Sequence, residues 1–186
     1  MKLKKKDGRG LNIIIIPLVV VSIIFCLFVI KSKQIEVVND FIDDGLVMAN
    51  FASATVDLKE YGTSNTIVNN DFNKAFQEYQ KALKNNLRLD NNFEPKTSNL
   101  IDGKVTIEIF TIYNVKGNDI YMTKRQRNGN IINQTYPNAL GTMETPDGVK
   151  IETTTIYSKI GMNVKSFIND KKYVYKEKTV DITDKD

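Results

Sequence analysis

The hydrophobic pattern of the chain begins with twenty residues that carry no charge, Leu11 to Ile30. An α-helix rises about 1.5 Å per residue, so this segment reaches roughly 30 Å, the thickness of the hydrocarbon core of a bilayer. The pattern therefore predicts one transmembrane helix over residues 11–30. Positive residues favour the cytoplasmic side. Five precede the helix and acids follow it from Glu36, so we predict a cell-membrane protein with a basic cytoplasmic tail, residues 1–10, and an extracytoplasmic C-terminal domain.

Two other interpretations of the apolar segment are weaker. A cleaved secretory signal would end in small residues, whereas here the apolar run continues to Ile30 and is followed by Lys-Ser-Lys. Lipidation of Cys26 is disfavoured because the bulky Phe25 precedes it. We interpret Cys26 as an inert thiol that faces lipid or packs against a neighbour. Because it is the chain's one cysteine, the protein contains no internal disulfide.

Beyond the membrane, apolar residues recur every three or four positions with acids between them, which is typical of an amphipathic helix. We therefore predict that the helix continues over residues 31–61. Small and β-branched residues mark a stripe suited to close helix packing: Gly45, Ala49, Ala52 and Val56. The pattern leaves two alternatives open. The extension either docks on its own domain or presents this stripe to neighbouring copies.

Residues 62–186 are predicted to form one extracytoplasmic α+β head domain. Aromatic and aliphatic residues on one helical face predict a second helix over about 70–86, capped by Asn69, Asn70 or Asp71. From residue 87 the apolar period changes to two, which predicts an antiparallel β-sheet of about four strands. The expected strands cover residues 105–115, 119–126, 149–157 and 171–182. We expect a short extended piece at 87–89, loops around at most one short strand over 128–148, and a segment capping the core over 158–170.

Charge and composition narrow the function. The net charge of +4 comes from residues 1–10, which carry five basic side chains and one acid. The rest of the chain is therefore neutral and gives no reason to expect a nucleic-acid partner. The absence of histidine removes the usual catalytic base and zinc ligand. We find no phosphate-binding or nucleophile motif. We predict that the chain is not an enzyme and binds neither metal nor cofactor.

One basic run stands out in the second predicted strand, Lys124, Arg125 and Arg127. It either holds a phosphate or an acidic partner, or it is a solvated strand end. The second interpretation is favoured because no glycine-rich loop or aromatic stacking set accompanies the run in the sequence.

The first sixty residues suggest a family. The chain has a basic leader ending in Arg9-Gly10, a proline early in the apolar helix at Pro17, and the amphipathic extension. Together with a C-terminal antiparallel sheet, this arrangement resembles a type IV pilin and, more closely, a TadE/TadG-like pseudopilin of the tight-adherence (Flp) pilus machinery. The chain departs from the pilin pattern because residues 11–16 lack an early glutamate. That departure favours an anchored minor pseudopilin over a major subunit.

The resemblance implies a structural or assembly role in a bacterial pilus or secretion apparatus. It implies a prepilin peptidase that cleaves between Gly10 and Leu11, with Arg9 in the leader, and other pilin-like subunits or envelope assembly proteins as partners beside the lipid bilayer. The alternative is an uncleaved single-pass envelope protein whose outer domain binds a protein partner.

Overall fold

The computed structural model describes residues 9–54, 68–97, 101–165 and 171–182, with side chains from Ile15 onward. The chain divides into two compact units, Met1–Asn39 and Asp40–Asp186. Within these described residues the elements are two helices and five strands: α1 (Arg9–Ser53), α2 (Phe72–Asn86), β1 (Ile101–Lys116), β2 (Asp119–Gln126), β3 (Ile131–Tyr136), β4 (Thr155–Lys165) and β5 (Lys171–Asp181). The predicted α+β class is confirmed.

Helix α1 contains the predicted apolar segment. By length and composition, it is the one helix of the described chain suited to cross a membrane. Its most apolar stretch has a mean hydropathy of 2.7, and none of that stretch is buried against protein. The large apolar side chains from Ile15 to Ile30 are exposed, as is Cys26. These features fit a single-pass transmembrane helix, because the surrounding lipid would cover these side chains.

Helix α2 follows the predicted pattern closely. Its N-cap is Asp71, whose carboxylate accepts a hydrogen bond from the Lys74 backbone N–H at 2.9 Å. Ala75, Tyr79 and Leu83 are buried on one face. Because the aromatic residues of this face reach the sheet, α2 is held by tertiary packing as well as by its cap.

The sheet is fully antiparallel, with strand order β3-β2-β1-β4-β5. It therefore has five strands, where the sequence predicted about four. The additional strand is β3, which among the described strands pairs with β2 alone and is largely exposed. An edge strand exposed in this way lacks the alternation of buried and polar residues by which strands are recognised in sequence.

The bounds of β4 differ from the prediction. The strand begins at Thr155 and continues to Lys165, so the expected strand over 149–157 starts too early and the expected capping segment over 158–170 is wrong as far as Lys165. Residues 149–154 instead belong to a loop closed by hydrogen bonds of Thr145 with the Val149 backbone. The predicted short strand at 87–89 is reduced to an isolated bridge between Leu89 and Pro95.

Both faces of the sheet are covered over part of their area. The helical face is centred on Phe110, which is fully buried and contacts the rings of Phe72, Phe76 and Tyr79 at centroid distances of 5.6, 5.4 and 4.8 Å. The opposite face, called the loop face below, holds a second cluster formed by Tyr113, Ile120, Met122, Ile151 and Tyr157. Ala139 and Met143 of the β3–β4 loop pack against that cluster.

Candidate interaction surface

The residues of the predicted leader cleavage lie at the beginning of α1. The helix includes Arg9, Gly10 and Leu11, but their side chains lie outside the described part of the structure. Peptidase processing at this position stays a prediction.

The residues of the predicted packing stripe differ in burial. Gly45 and Ala49 are buried in their own head domain. A Cβ at Gly45 would lie 2.5 Å from Leu87 Cδ2, so glycine permits the close approach of α1 to the end of α2. Ala52 is exposed, and Val56 lies outside the described residues. Gly45 and Ala49 thus serve intramolecular docking, the first of the two alternatives that the sequence left open.

The C-terminal part of α1 is fastened to the edge of the sheet by charge and by a hydrogen bond. Asp43 lies between two lysines of β5, with Oδ1 at 3.1 Å from Lys176 Nζ and Oδ2 at 3.1 Å from Lys178 Nζ. The Asn50 side-chain amide donates to the Lys178 carbonyl oxygen at 2.8 Å. These contacts are half-buried and fix which side of α1 meets the sheet.

As a result, the opposite side of α1 remains exposed, with none of the described elements packed over it. We call it the outer face and define it as Phe41, Asp44, Met48, Phe51 and Ala52. The exposed fractions are 38% for Phe41, 59% for Met48 and 53% for Phe51. Residues 41, 44, 48 and 51 follow the alternating spacing of three and four that is typical of a helix–helix seam. Of these four side chains, those of Phe41, Met48 and Phe51 are apolar, and only Asp44 is charged.

The sequence pattern did not single out this outer face, because the stripe chosen for close helix packing was that of the small residues, with Gly45 and Ala49 at its centre. The spacing of Phe41, Met48 and Phe51 is visible in the sequence. Without the docking contacts of α1, however, nothing distinguished this stripe from the one occupied by Gly45 and Ala49.

A second exposed group lies on the loop face of the sheet. Tyr173 and Tyr175 of β5 are 39% and 56% exposed, with ring centroids 5.2 Å apart in an edge-on arrangement. The Tyr173 hydroxyl donates to Glu108 Oε1 at 2.8 Å. Tyr173 also covers Gly161, where a Cβ would collide with its hydroxyl. The glycine therefore lets the Tyr173 side chain lie close to the backbone of β4.

A network of hydrogen bonds and charges borders this group. The Tyr157 hydroxyl donates to Glu177 Oε2 at 2.6 Å, and Lys159 Nζ lies 2.9 Å from the same oxygen. Donation by Tyr157 and the charge and hydrogen bond of Lys159 lower the pKa of Glu177. Burial, with the carboxylate as a second cause, raises the pKa of Tyr157. The pair is therefore held as a neutral phenol and an ionised carboxylate.

We predict that Glu177→Gln lowers stability at pH 7 more than at acidic pH. A carboxylate whose pKa is lowered by folding stabilises the native state above its unfolded pKa, about 4.3 for glutamate, and loses this contribution as the pH falls through the folded value. Thermal unfolding of both proteins from pH 7 to pH 3 should show the Tm difference shrinking below about pH 4.3. Glu152→Gln, at an exposed position, is the control and should change little. A difference independent of pH would contradict the assignment.

Strand β2 places neighbouring residues of the basic run on opposite faces of the sheet. Lys124 pairs with Thr111, and Arg125 pairs with Phe110. Neighbouring residues of a strand point to opposite faces, so Arg125 lies on the helical face and Lys124 on the loop face. Within the described ranges no group of three or more histidine, cysteine, aspartate or glutamate residues could hold a metal ion.

No protein-family model, curated protein or solved structure matches this chain. The case for a function therefore depends on the surfaces described above and on the long apolar helix α1.

Proposed function

We propose that the chain is a membrane-anchored, pilin-like structural component of a bacterial pilus or secretion apparatus, with its N-terminus in the cytoplasm and its head outside. The observation that carries the proposal is the outer face of α1, where Phe41, Met48 and Phe51 are exposed on the same helix that contains the membrane segment. In this role the outer face packs against α1 of a neighbouring subunit.

The energetics suit chains confined to a membrane. Fully burying a phenylalanine or methionine side chain stabilises by about 1.5–3 kcal/mol, so half-exposed residues contribute roughly 1 kcal/mol each. Three such residues do not outweigh the entropy lost when two free proteins associate in solution. Anchoring in one bilayer raises the effective concentration and lowers this cost. The outer face is thus suited to contacts within a membrane or a filament.

Site-directed crosslinking in native membranes tests this function. With Cys26 replaced by serine, we expect Met48→Cys to give a disulfide-linked dimer under mild oxidation, because parallel α1 helices bring equivalent positions together. Asn133→Cys on the exposed edge strand β3 is the control and should stay monomeric. A monomeric Met48→Cys protein at native expression would exclude α1 packing between like chains.

The alternative is a single-pass envelope protein whose head binds a different protein. The exposed pair Tyr173 and Tyr175 favours it, because tyrosine is enriched in the energetically dominant parts of protein interfaces. In the same experiment, Tyr175→Cys linked to a heterologous protein, with no product from Met48→Cys, would support this alternative. The intact mass of the extracted protein separates the two further: a chain beginning at Leu11 is a peptidase product, and one beginning at Met1 is an uncleaved anchor.

A further inference from the structure

A notch opens in the sheet beside the first residues of β1, because β2 ends before it reaches them. The pairing of β1 with β2 begins at Ile109 and Gln126, although β1 itself begins at Ile101. After Gln126 the chain turns back toward β3, and a cavity of about 230 Å³ lies between this turn and α2. Four consecutive residues of β1, 104–107, line it. Since the side chains of neighbouring strand residues point to opposite faces of the sheet, four consecutive residues line the cavity along the edge of β1.

The notch is strongly cationic. Its lining includes Lys104, Arg125 and Arg127, and no acidic residue of the described chain lines it. Within the described ranges, neither Lys104 nor Arg125 forms an ion pair. Arg127 Nη1 lies 3.4 Å from Glu108 Oε1, which also accepts a hydrogen bond from the Tyr173 hydroxyl. Three basic residues therefore line the cavity, and of these Arg127 is paired with Glu108.

Arg125 is held in place before any ligand arrives. Its Cζ lies 4.7 Å from the ring centroid of Phe76, which lines the same cavity. A guanidinium over an aromatic ring is attracted by the π-system. This contact orders the planar guanidinium before a ligand binds. The N–H groups of the guanidinium match the oxygens of carboxylates and phosphates. Phe93 is a second aromatic residue that lines the cavity.

We propose that this notch binds an oxyanion, a phosphate or carboxylate group carried by a small and partly apolar body. Arg125 and Lys104 contact the oxygens, and Phe76 and Phe93 flank the apolar part. A water molecule occupies about 30 Å³ in the liquid, so the cavity of about 230 Å³ admits one small group and no folded segment. This site is independent of the outer face of α1, so it stands whether or not the pilin-like role does.

The two sources of such a group are a free small anion and the headgroup of an anionic lipid. Isothermal titration of the full chain in phosphatidylcholine nanodiscs, with inorganic phosphate and then benzoate at fixed ionic strength, measures the first. We expect saturable binding of at least one probe. Repeating the titration in phosphatidylglycerol nanodiscs measures the second. Apparent affinity that falls in phosphatidylglycerol indicates competition by the headgroup, and unchanged affinity indicates a free anion.

The variants separate a defined site from general attraction by positive charge. Arg125→Gln should weaken binding of the better probe at least tenfold, and Lys104→Gln should weaken it as well. Lys124→Gln removes the same charge one residue away on the opposite face of the sheet and should change the affinity less than twofold. Arg125→Lys, which keeps the charge without the planar guanidinium, should fall between wild type and Arg125→Gln. An unchanged Tm in Lys104→Gln shows that any loss is not due to unfolding.

Two results would overturn the proposal. One is no saturable binding of either probe to the wild type in phosphatidylcholine nanodiscs. The other is equal loss of affinity in Lys124→Gln and Arg125→Gln, because nonspecific attraction depends on net charge and not on the face that carries it.

Discussion

Replacing Phe110 by alanine is expected to lower the free energy of unfolding by about 3–5 kcal/mol, because the side chain is fully buried and its removal leaves a cavity between α2 and the sheet. The ring contacts three aromatic residues of α2, the nearest being Tyr79 at 4.8 Å. Each of them loses its contact with this ring of the sheet. For a unit of this size, the loss corresponds to a decrease in Tm of roughly 10 °C, measured by near-ultraviolet circular dichroism of the detergent-solubilised chain.

Phe51→Ala is the matched control, since it removes the same side chain from the outer face of α1, where the residue is 53% exposed. Exposed substitutions away from special features change stability by about 0.5 kcal/mol or less. Phe51→Ala should therefore keep the wild-type Tm of the dispersed protein and reduce crosslinking at position 48 in membranes. Similar losses of Tm in both variants would show that Phe110 is not the centre of this core.

Replacing Gly45 by leucine is expected to cost about 1–3 kcal/mol through overpacking. A Cβ alone at this position would lie 2.5 Å from Leu87 Cδ2, and Leu87 is itself buried. The larger side chain therefore forces α1 away from the end of α2, at the expense of the buried contacts of Ile42 and Ala49. Differential scanning calorimetry of the solubilised chain measures the loss.

Ala52→Leu introduces the same side chain one face away on α1, at an exposed position. Its Tm should match that of the wild type, because the leucine projects into solvent. If Gly45→Leu were as stable as Ala52→Leu, the close contact of α1 with α2 would not contribute to the stability of the head.

Docking of α1 explains why a small-residue stripe does not by itself indicate contact between copies of a chain. Small residues permit close approach of any neighbouring element, and here the neighbour of Gly45 is Leu87 of the same chain. The outer face carries larger side chains, Met48 and Phe51 among them. Amphipathicity alone did not distinguish the two faces because both contain apolar residues.

Local sequence patterns were sufficient to predict an element where its own hydrophobic period and capping residues determine it. The uncharged run predicted the long apolar helix, the aromatic spacing with a cap among residues 69–71 predicted α2, and alternation around the turn at Gly117 predicted the β1–β2 hairpin. Each of these signals arises from residues close together in the chain. Propensity, capping and hydrophobic period act at that range and are visible without a fold.

The tertiary structure decided what depends on residues far apart in sequence. It fixed the inner face of α1 through Asp43 and the lysines of β5, extended β4 to Lys165 between two partner strands, and brought Lys104 beside Arg125 at the notch. The physical reason is the same in each case. An ion pair, a ladder of strand hydrogen bonds and a cavity wall are formed by groups from different elements, so no single segment contains the information that places them.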